Sequence, residues 1–280
     1  MFVYFDIGGT KTRVSISHNQ EDFCEPVKFD TPHDLQELYG KIHDTARELG
    51  GNEPFVGAGG GIACPVDRST NRLGWAPNLP KEWFDHLITD ELGALLECPV
   101  FMDNDTAVIG MGEAHHGAAR GAEIAVYMTI STGVGGARIV RGMPESVGMS
   151  AEPGRQYIDY TKSACPECEG TSTQEYLAGS SMERQYGCKP YEVTDPAVWE
   201  QMAEWAGYML INTTVHWAPD VIVMGGSMII GDPAIPVDRI EHHLQEHLVY
   251  PKTPVVKKAE LGDFGGIYGA MEFVKHKLAV

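Results

Sequence analysis

The feature that most constrains the fold is a pattern that occurs twice. Residues 2–17 and 124–140 each read as an apolar strand, a glycine turn carrying a threonine, and a second strand. In the first copy Met1–Phe5 is apolar or aromatic, FDIGGTK fills residues 5–11, and Thr12–Ser17 alternates polar with apolar. In the second copy the turn is STGVGG, residues 131–136. Elsewhere strand-like runs alternate with helix-like ones, so the expected class is α/β. Two similar lobes, each presenting a glycine hairpin to a shared cleft, would explain the repetition. The Gly/Ala-rich GEAHHGAARG marks the boundary. The expected domains are residues 1–112, a small N-terminal lobe, and 113–280, a larger C-terminal one whose last helix packs back on the first.

Between the repeats, DLQELYGKIHDTARELGG (34–51) has helical apolar spacing and stops at Gly-Gly. EPFVGAGGGIACPVD (53–67) reads as a strand running into a glycine-rich turn, and residues 99–121 as a short strand and a helix from about Asn104-Asp105. Residues 197–218 carry a buried helical stripe, PDVIVMGGSM (219–228) is a strand ending in glycines, and the last helix starts near Gly265. The five tryptophans and twelve methionines are expected to fill the core.

Charge narrows the partners. The chain has 39 acidic and 21 basic residues, a formal charge of −18. A nucleic acid or an anionic membrane needs clustered Lys and Arg, so neither is expected as a partner. No apolar run approaches a membrane span, and Met1 leads straight into the first strand without a signal-like segment. The six cysteines are scattered apart from one C-x-x-C, which is not a disulfide framework. These features predict a cytoplasmic protein with a small-molecule substrate.

The chemistry starts in FDIGGTK. A hairpin needs no aspartate at the strand end and no Thr-Lys after its glycines. Bare amides of Gly8 and Gly9 with the Thr10 hydroxyl can point at an anion, and Asp6 suits Mg²⁺, directly or through water. Neither G-x-x-x-x-G-K-[ST] nor G-x-G-x-x-G occurs, so a nucleotide would be held by another device. The two turns, Asp6–Lys11 and Ser131–Gly136, can grip phosphates with their amides and the Thr10, Ser131 and Thr132 hydroxyls, and GGSM (225–228) lets a ring or ribose approach the backbone. For catalysis, DND (103–105) offers an aspartate that can accept the proton of an attacking hydroxyl, with Asp105 in the first turn of a helix and Asn104 suited to a polyol. The same three residues also read as an ordinary N-cap cluster.

DIGGTK, GGGIACPVD, APNLP (76–80), NDTAVIGMGEAHHGAARG, MTISTGVGGARIVRG, PDVIVMGGSM and GDFGGIYGA resemble the successive motifs of the ROK family, in its order and roughly its spacing, from residue 3 to residue 271. The resemblance implies a two-lobed actin-like ATPase (ribonuclease H-like) fold of the sugar kinase type, and ATP-dependent phosphorylation of a hexose or hexose derivative at a primary hydroxyl, with glucose the default. It places Asp6 near Mg²⁺ and the phosphates, and makes Gly8, Gly9, Thr10 and Lys11 the first phosphate loop and Ser131, Thr132, Gly133, Gly135 and Gly136 the second. Gly225 and Gly226 fall at the adenosine, Asp105 becomes the general base, and Gly61, Asn78, Asn104, Asp105 and Glu152 fall at the sugar. The family also includes sugar-responsive repressors with an N-terminal DNA-binding extension. This chain starts at the first strand, so a kinase is expected, and family habit suggests a homodimer.

The chain departs from that pattern at the family's zinc. Where E-x-G-H is usual it reads EPGR (152–155), so Arg155 stands for the histidine. Counting back from YLAG (176–179), Gln174 stands for the closing glutamate, and the cysteine positions fall on Cys165, Glu167 and Ser172. Bound zinc is therefore not expected, with Cys165 and Cys168 its only remaining ligands, and CPEC reads as a pair of reduced structural thiols. Arg155 either meets an anionic substituent on the sugar or, as the favoured reading, pairs with Glu152, Glu167 or Asp159 as a staple in place of the metal. His115 and His116 are read as solvated surface residues.

Overall fold

The computed structural model describes residues 1–145 and 147–279. In chain order its strands are β1 (Phe2–Ile7), β2 (Lys11–Ser17), β3 (Val27–Asp30), β4 (Gly57–Ile62), β5 (Val66–Asp67), β6 (Arg72–Leu73), β7 (Val100–Asn104), β8 (Ile124–Ile130), β9 (Val134–Val140), β10 (Met143–Pro144), β11 (Val221–Gly225) and β12 (Val255–Lys258). The helices are α1 (Leu35–Gly50), α2 (Ile88–Leu96), α3 (Asp105–His116), α4 (Thr173–Leu177), α5 (Gly179–Tyr186), α6 (Pro196–Trp217), α7 (Ser227–Ile230), α8 (Val237–His247) and α9 (Gly265–Leu278).

The chain forms two compact units. The first comprises Met1–His116, Met143–Ser150 and Asp263–Val280; the second comprises Gly117–Gly142 and Ala151–Gly262. In the first, the sheet runs β3-β2-β1-β4-β7: β1 and β2 form an antiparallel hairpin, and β4 and β7 add in parallel. The second unit repeats the scheme in the order β9-β8-β11-β12, with β8 and β9 antiparallel and β11 and β12 added in parallel. The repeated strand–turn–strand pattern of the sequence is therefore a repeated sheet topology.

Each unit has its own core. In the first, Val3, Phe5, Ile7, Val14 and Ile16 of the hairpin pack with Leu38 and Ile42 of α1 and with Trp83. In the second, Val126, Met128, Ile222 and Met224 pack with Met202, Trp205, Met209 and Leu210 of α6. Burial of these apolar faces is what orders both sheets, at roughly 25 cal/mol per Å² removed from water. Trp75 is a correction to the core assignment of the tryptophans: it is 62% exposed, in the loop that leads to Asn78.

A second correction concerns GAGGGI. The glycines of residues 59–61 are not a turn after a strand but the strand itself, β4, fully buried. A Cβ on Gly59 would lie 2.7 Å from Val274 of α9, and one on Gly60 would run into the Phe5 carbonyl. Neighbouring strand and helix press so closely here that no side chain fits.

Candidate active site

In the first unit, Asp6 sits on β1 one residue before the strand's end, opposite Arg13 of β2. The Arg13 guanidinium lies 3.4 Å from the Asp6 carboxylate and 3.0 Å from Asp263. The start of α9 closes on the same carboxylate: a Cβ on Gly266 would lie 2.9 Å from Asp6 Cγ, a distance only glycine permits. Burial pushes the Asp6 carboxyl above the ordinary carboxylate range; Arg13 opposes the shift and Asp263 adds to it.

The turn that follows is pinned from outside. Gly8 N–H donates to the Lys11 carbonyl (3.0 Å), the Gly8 carbonyl accepts from Thr31 Oγ1 (2.8 Å), and Thr31 N–H donates to the Thr10 carbonyl (3.0 Å). The Gly9 and Thr10 side of the turn is exposed. Lys11 is ion-paired with Asp30 across the β2–β3 ladder. Asn78 reaches this turn, since a Cβ on Gly9 would lie 2.7 Å from the Asn78 carbonyl oxygen.

Asp105 opens α3, as the cap reading of DND expects, and the cap orients the carboxylate. Asp105 Oδ1 accepts from Thr106 N–H (2.7 Å), Asn104 Nδ2 (3.1 Å) and Thr106 Oγ1 (3.2 Å). Asn104 is buried. Its Oδ1 accepts from Thr106 N–H (3.1 Å) and Ala107 N–H (3.3 Å), and its Nδ2 also donates to the Cys64 carbonyl (3.0 Å). Both ends of that amide are thus engaged, Nδ2 bracing Asp105 and Oδ1 capping the start of α3. Gly61 of β4 lies directly beneath: a Cβ there would come within 2.8 Å of Asp105 Cα.

Beside them is a buried ion pair that sequence reasoning missed. Arg68 Nε donates to Asp103 Oδ2 at 2.7 Å, and Asp103 Oδ1 accepts Asn104 N–H at 2.7 Å. Asp103 is 2% exposed, and a carboxylate so placed needs a cation. Asp103 and Arg68 are 35 positions apart in sequence, so no local pattern connects them.

In the second unit the β8–β9 turn is held by two other segments. Ser131 N–H donates to the Gly133 carbonyl (2.8 Å), and Gly179 N–H, at the start of α5, donates to the Ser131 carbonyl (2.7 Å). Ser180 Oγ donates to the Thr132 carbonyl (2.7 Å), and Ser131 Oγ meets Ser227 Oγ at 3.0 Å. Gly226, with φ +88°, turns the chain from β11 into α7 and brings Ser227 there; Gly225 lies against the Tyr127 side chain. Gly179 and Ser227 belong to YLAG and GGSM, and Ser180 follows YLAG, but nothing in the sequence marked these three as holding the turn. Gly135 and Gly136 stand within β9, paired with Thr129 and Met128, rather than in the turn.

Gln174 joins this group: its Oε1 accepts Val134 N–H at 3.3 Å and lies 3.0 Å from where a Gly133 Cβ would be. The turn Pro153–Arg155 packs on β9, with Gly154 against the Val134 carbonyl. Burial raises the Glu152 carboxyl above its ordinary value and the Arg155 charge opposes that. Glu152, Arg155, Gln174 and the turn at Gly133 are thus held together by β9.

Three further expectations meet different outcomes, and the second and third are corrected. Arg155 makes no close ion pair among the described residues, but its charge acts on Glu152, one of the three acids expected as its partner, while Asp159 is occupied elsewhere. Asp159 accepts from Ala164 N–H (2.7 Å), Tyr176 Oη (3.1 Å) and Thr161 Oγ1 (3.1 Å), which holds its carboxyl at about 2. Second, Cys165 and Cys168 are joined as a disulfide rather than reduced, because the CPEC turn sets their Cα atoms 5.4 Å apart inside the core. Third, His115 and His116 are not simply solvated: both face Glu272 of α9, at 3.7 and 2.9 Å, and His116 stacks on Tyr268. Among the described residues no helix is long and apolar enough to cross a membrane.

Three sequence relatives span most or much of the chain. The glucokinase of Thermotoga maritima is 28% identical over 195 residues, 66% of this chain and 60% of that one. The glucokinase of Streptomyces coelicolor is 23% identical over 96% of both chains, and a fructokinase of Lactococcus lactis is 26% identical over 82% of this chain and 80% of its own. Among solved structures, a ROK hexokinase from Thermus thermophilus superposes with a TM-score of 0.81 at 24% identity, over 100% of this chain and 99% of that one. A ROK family glucokinase from Streptomyces griseus, solved with glucose and AMPPNP, gives 0.79 at 21% identity, over 98% and 99%. A ROK family transcriptional regulator gives 0.81 at 15% identity, over 98% of this chain and 78% of its own. The fold is thus the actin-like ATPase fold of the ROK sugar kinases. The ROK family matches residues 3–277, nearly the whole chain, and this protein belongs to that family.

Proposed function

We propose that the protein is an ATP-dependent hexose kinase in which Asp105 is the general base. The observation that carries this is the clamp on Asp105: three donors hold Oδ1, Asn104 Nδ2 among them, and Gly61 leaves the strand flush beneath it. A carboxylate held this rigidly suits proton acceptance from a primary hydroxyl as that hydroxyl attacks phosphorus. The exposed Gly9–Thr10 edge and the Ser131–Thr132 turn offer amides and hydroxyls to the phosphates of the nucleotide. Gly225 and Gly226 offer bare backbone to its adenosine. Asp6 is the residue for Mg²⁺, its donor set being a hard oxygen pair, and the ion when bound neutralises phosphate charge. Asn78 and Glu152 serve the sugar, and family habit makes the assembly a homodimer.

Arg155 supports a second reading of the acceptor. An exposed guanidinium with no close ion pair among the described residues, beside Glu152 and the Gln174-braced turn, suits a sugar carrying an anionic substituent. ADP release with Mg-ATP across glucose, fructose, mannose, glucosamine, N-acetylmannosamine and several sugar acids separates the possibilities. Turnover with a neutral hexose and none with the acids supports the first reading, and turnover with acids alone the second. A sugar that raises the melting temperature without any turnover would replace both with a non-catalytic sugar sensor.

A further inference from the structure

Outside the kinase residues, α6 and α8 build a cluster that no part of the proposed reaction uses. His243, Glu246 and His247 lie on α8, and one ligand atom from each falls within 4.8 Å of the others. The two histidines stand four positions apart, so both project from one face of the helix. His243 is also fixed from two directions. Its Nε2 lies 2.9 Å from Glu200 Oε1 of α6. Glu200 is itself gripped by Arg239 through Nε (2.9 Å) and Nη2 (2.7 Å). Gly207 of α6 runs so close that a Cβ on it would lie 2.6 Å from His243 Cβ. A carboxylate bound to a guanidinium is ionised and can only accept, so His243 donates Nε2–H to it and keeps Nδ1 as its basic nitrogen. Beyond this, His247 lies against the Tyr208 ring (5.7 Å between centroids), with Tyr208 hydroxyl donating to Glu204 (2.8 Å).

We propose that His243, Glu246 and His247 form a binding site for a divalent transition metal such as Zn²⁺, with Glu200 as the outer carboxylate that orients His243. Two imidazoles and one carboxylate suit Zn²⁺, Co²⁺ or Ni²⁺ and not Mg²⁺, which takes oxygen ligands in octahedral geometry. The carboxylate–histidine–metal arrangement is the usual way a ligating imidazole is held in one tautomer and one orientation. Pre-fixing His243 removes part of the ordering cost that an exposed ligand would otherwise meet on binding. The three ligands leave further coordination positions for water, and because all three stand on the last turns of α8, the ion clips the end of that helix. Nothing in this proposal depends on the kinase assignment.

The test is titration of the untagged, nucleotide-free full chain with Co²⁺ and then Zn²⁺, followed by visible absorption and calorimetry. One equivalent bound at micromolar concentration is expected, with the visible bands of an N/O-ligated cobalt ion, displaced by Zn²⁺. H247Q, which removes one partly exposed ligand, should weaken binding at least tenfold and leave ADP release with Mg-ATP and the best sugar unchanged. E200Q should weaken it by about ten- to a hundredfold, since it loosens the orienting partner rather than a ligand. The double variant H115Q/H116Q, which removes the other adjacent histidine pair, should bind as the parent does. Failure of Co²⁺ to bind at micromolar concentration would overturn the site. So would binding that survives H247Q, or that carries the intense charge-transfer bands of thiolate ligation.

Discussion

Asp105 shows how much a single carboxylate depends on its neighbours. D105N keeps the size of the side chain and its place at the head of α3 but cannot take a proton. Its turnover should fall by roughly a hundredfold or more with little change in sugar or nucleotide affinity, as initial-rate kinetics would show. G61A should act through position instead. Its Cβ needs the space of Asp105 Cα, 2.8 Å away, so the carboxylate must shift, and kcat should drop by about tenfold to a hundredfold while folding persists. Asp6 makes the opposite case, a residue whose charge works against stability. Its pKa is raised by burial, so the folded state binds the proton more tightly than the unfolded one. The favourable contribution is present below the ordinary carboxylate range and is lost as pH rises through the raised folded value. D6N should abolish activity, yet at pH 7 unfold in denaturant no earlier than the parent, with any advantage shrinking as the pH is lowered. A variant clearly less stable at pH 7 would mean that the Arg13 pair outweighs the burial. The types of these residues were legible in DIGGTK and DND, but the partners that tune them, Arg13, Gly266, Arg68 and Thr31, were not. Each arrives from another element, and only folding sets the distance.

At the scale of elements, the alternation of apolar runs and glycine stops was enough to place α1, α3, α6, α9 and β11. It failed at β4, where glycines in a row read as a turn. A strand pressed between a neighbouring strand and α9 needs the absence of side chains as much as a turn needs freedom in φ. The loop at residues 157–172 shows the same limit. Loss of a histidine and two cysteines from the zinc pattern was visible, but what replaces their bracing was not. Asp159 gathers Ala164, Tyr176 and Thr161, Lys162 Nζ donates to the Cys168 and Glu169 carbonyls at 2.9 and 3.0 Å, and Cys165 bonds to Cys168. Thiol alkylation of the unfolded, unreduced chain should therefore label Cys24, Cys64, Cys98 and Cys188 alone, and all six cysteines after reduction, as read by mass. Closing so short a loop is worth only ~2 kcal/mol in the chain-entropy account, so C165S/C168S should fold with a modestly lower melting temperature. Six labels without reductant would return the pair to free thiols.

For the whole molecule, the formal charge of −18 sets what approaches it: at low salt it disfavours polyanions, while local groups such as Arg155 still meet small ones. A kinase of this kind should be stabilised by its substrates through mass action. Saturating a site at a hundred times its Kd adds about 2.7 kcal/mol, so Mg-AMPPNP with the preferred sugar should raise the melting temperature by several degrees, and the pair by more than either alone. Absence of any shift with AMPPNP would remove the nucleotide from the proposal. Taken by itself, the sequence determined the α/β class, the doubled strand–turn–strand plan, the family and the residue types proposed for the site, because hydrophobic period, glycine punctuation and motif order are local properties of the chain. Only the tertiary structure decided that Asn104 braces Asp105, that Arg68 neutralises Asp103, that the Arg155 charge acts on Glu152, and that Glu200 steadies His243. Those facts depend on which atoms of distant segments come within hydrogen-bonding range, and that range is fixed by how the sheets and helices of each unit pack.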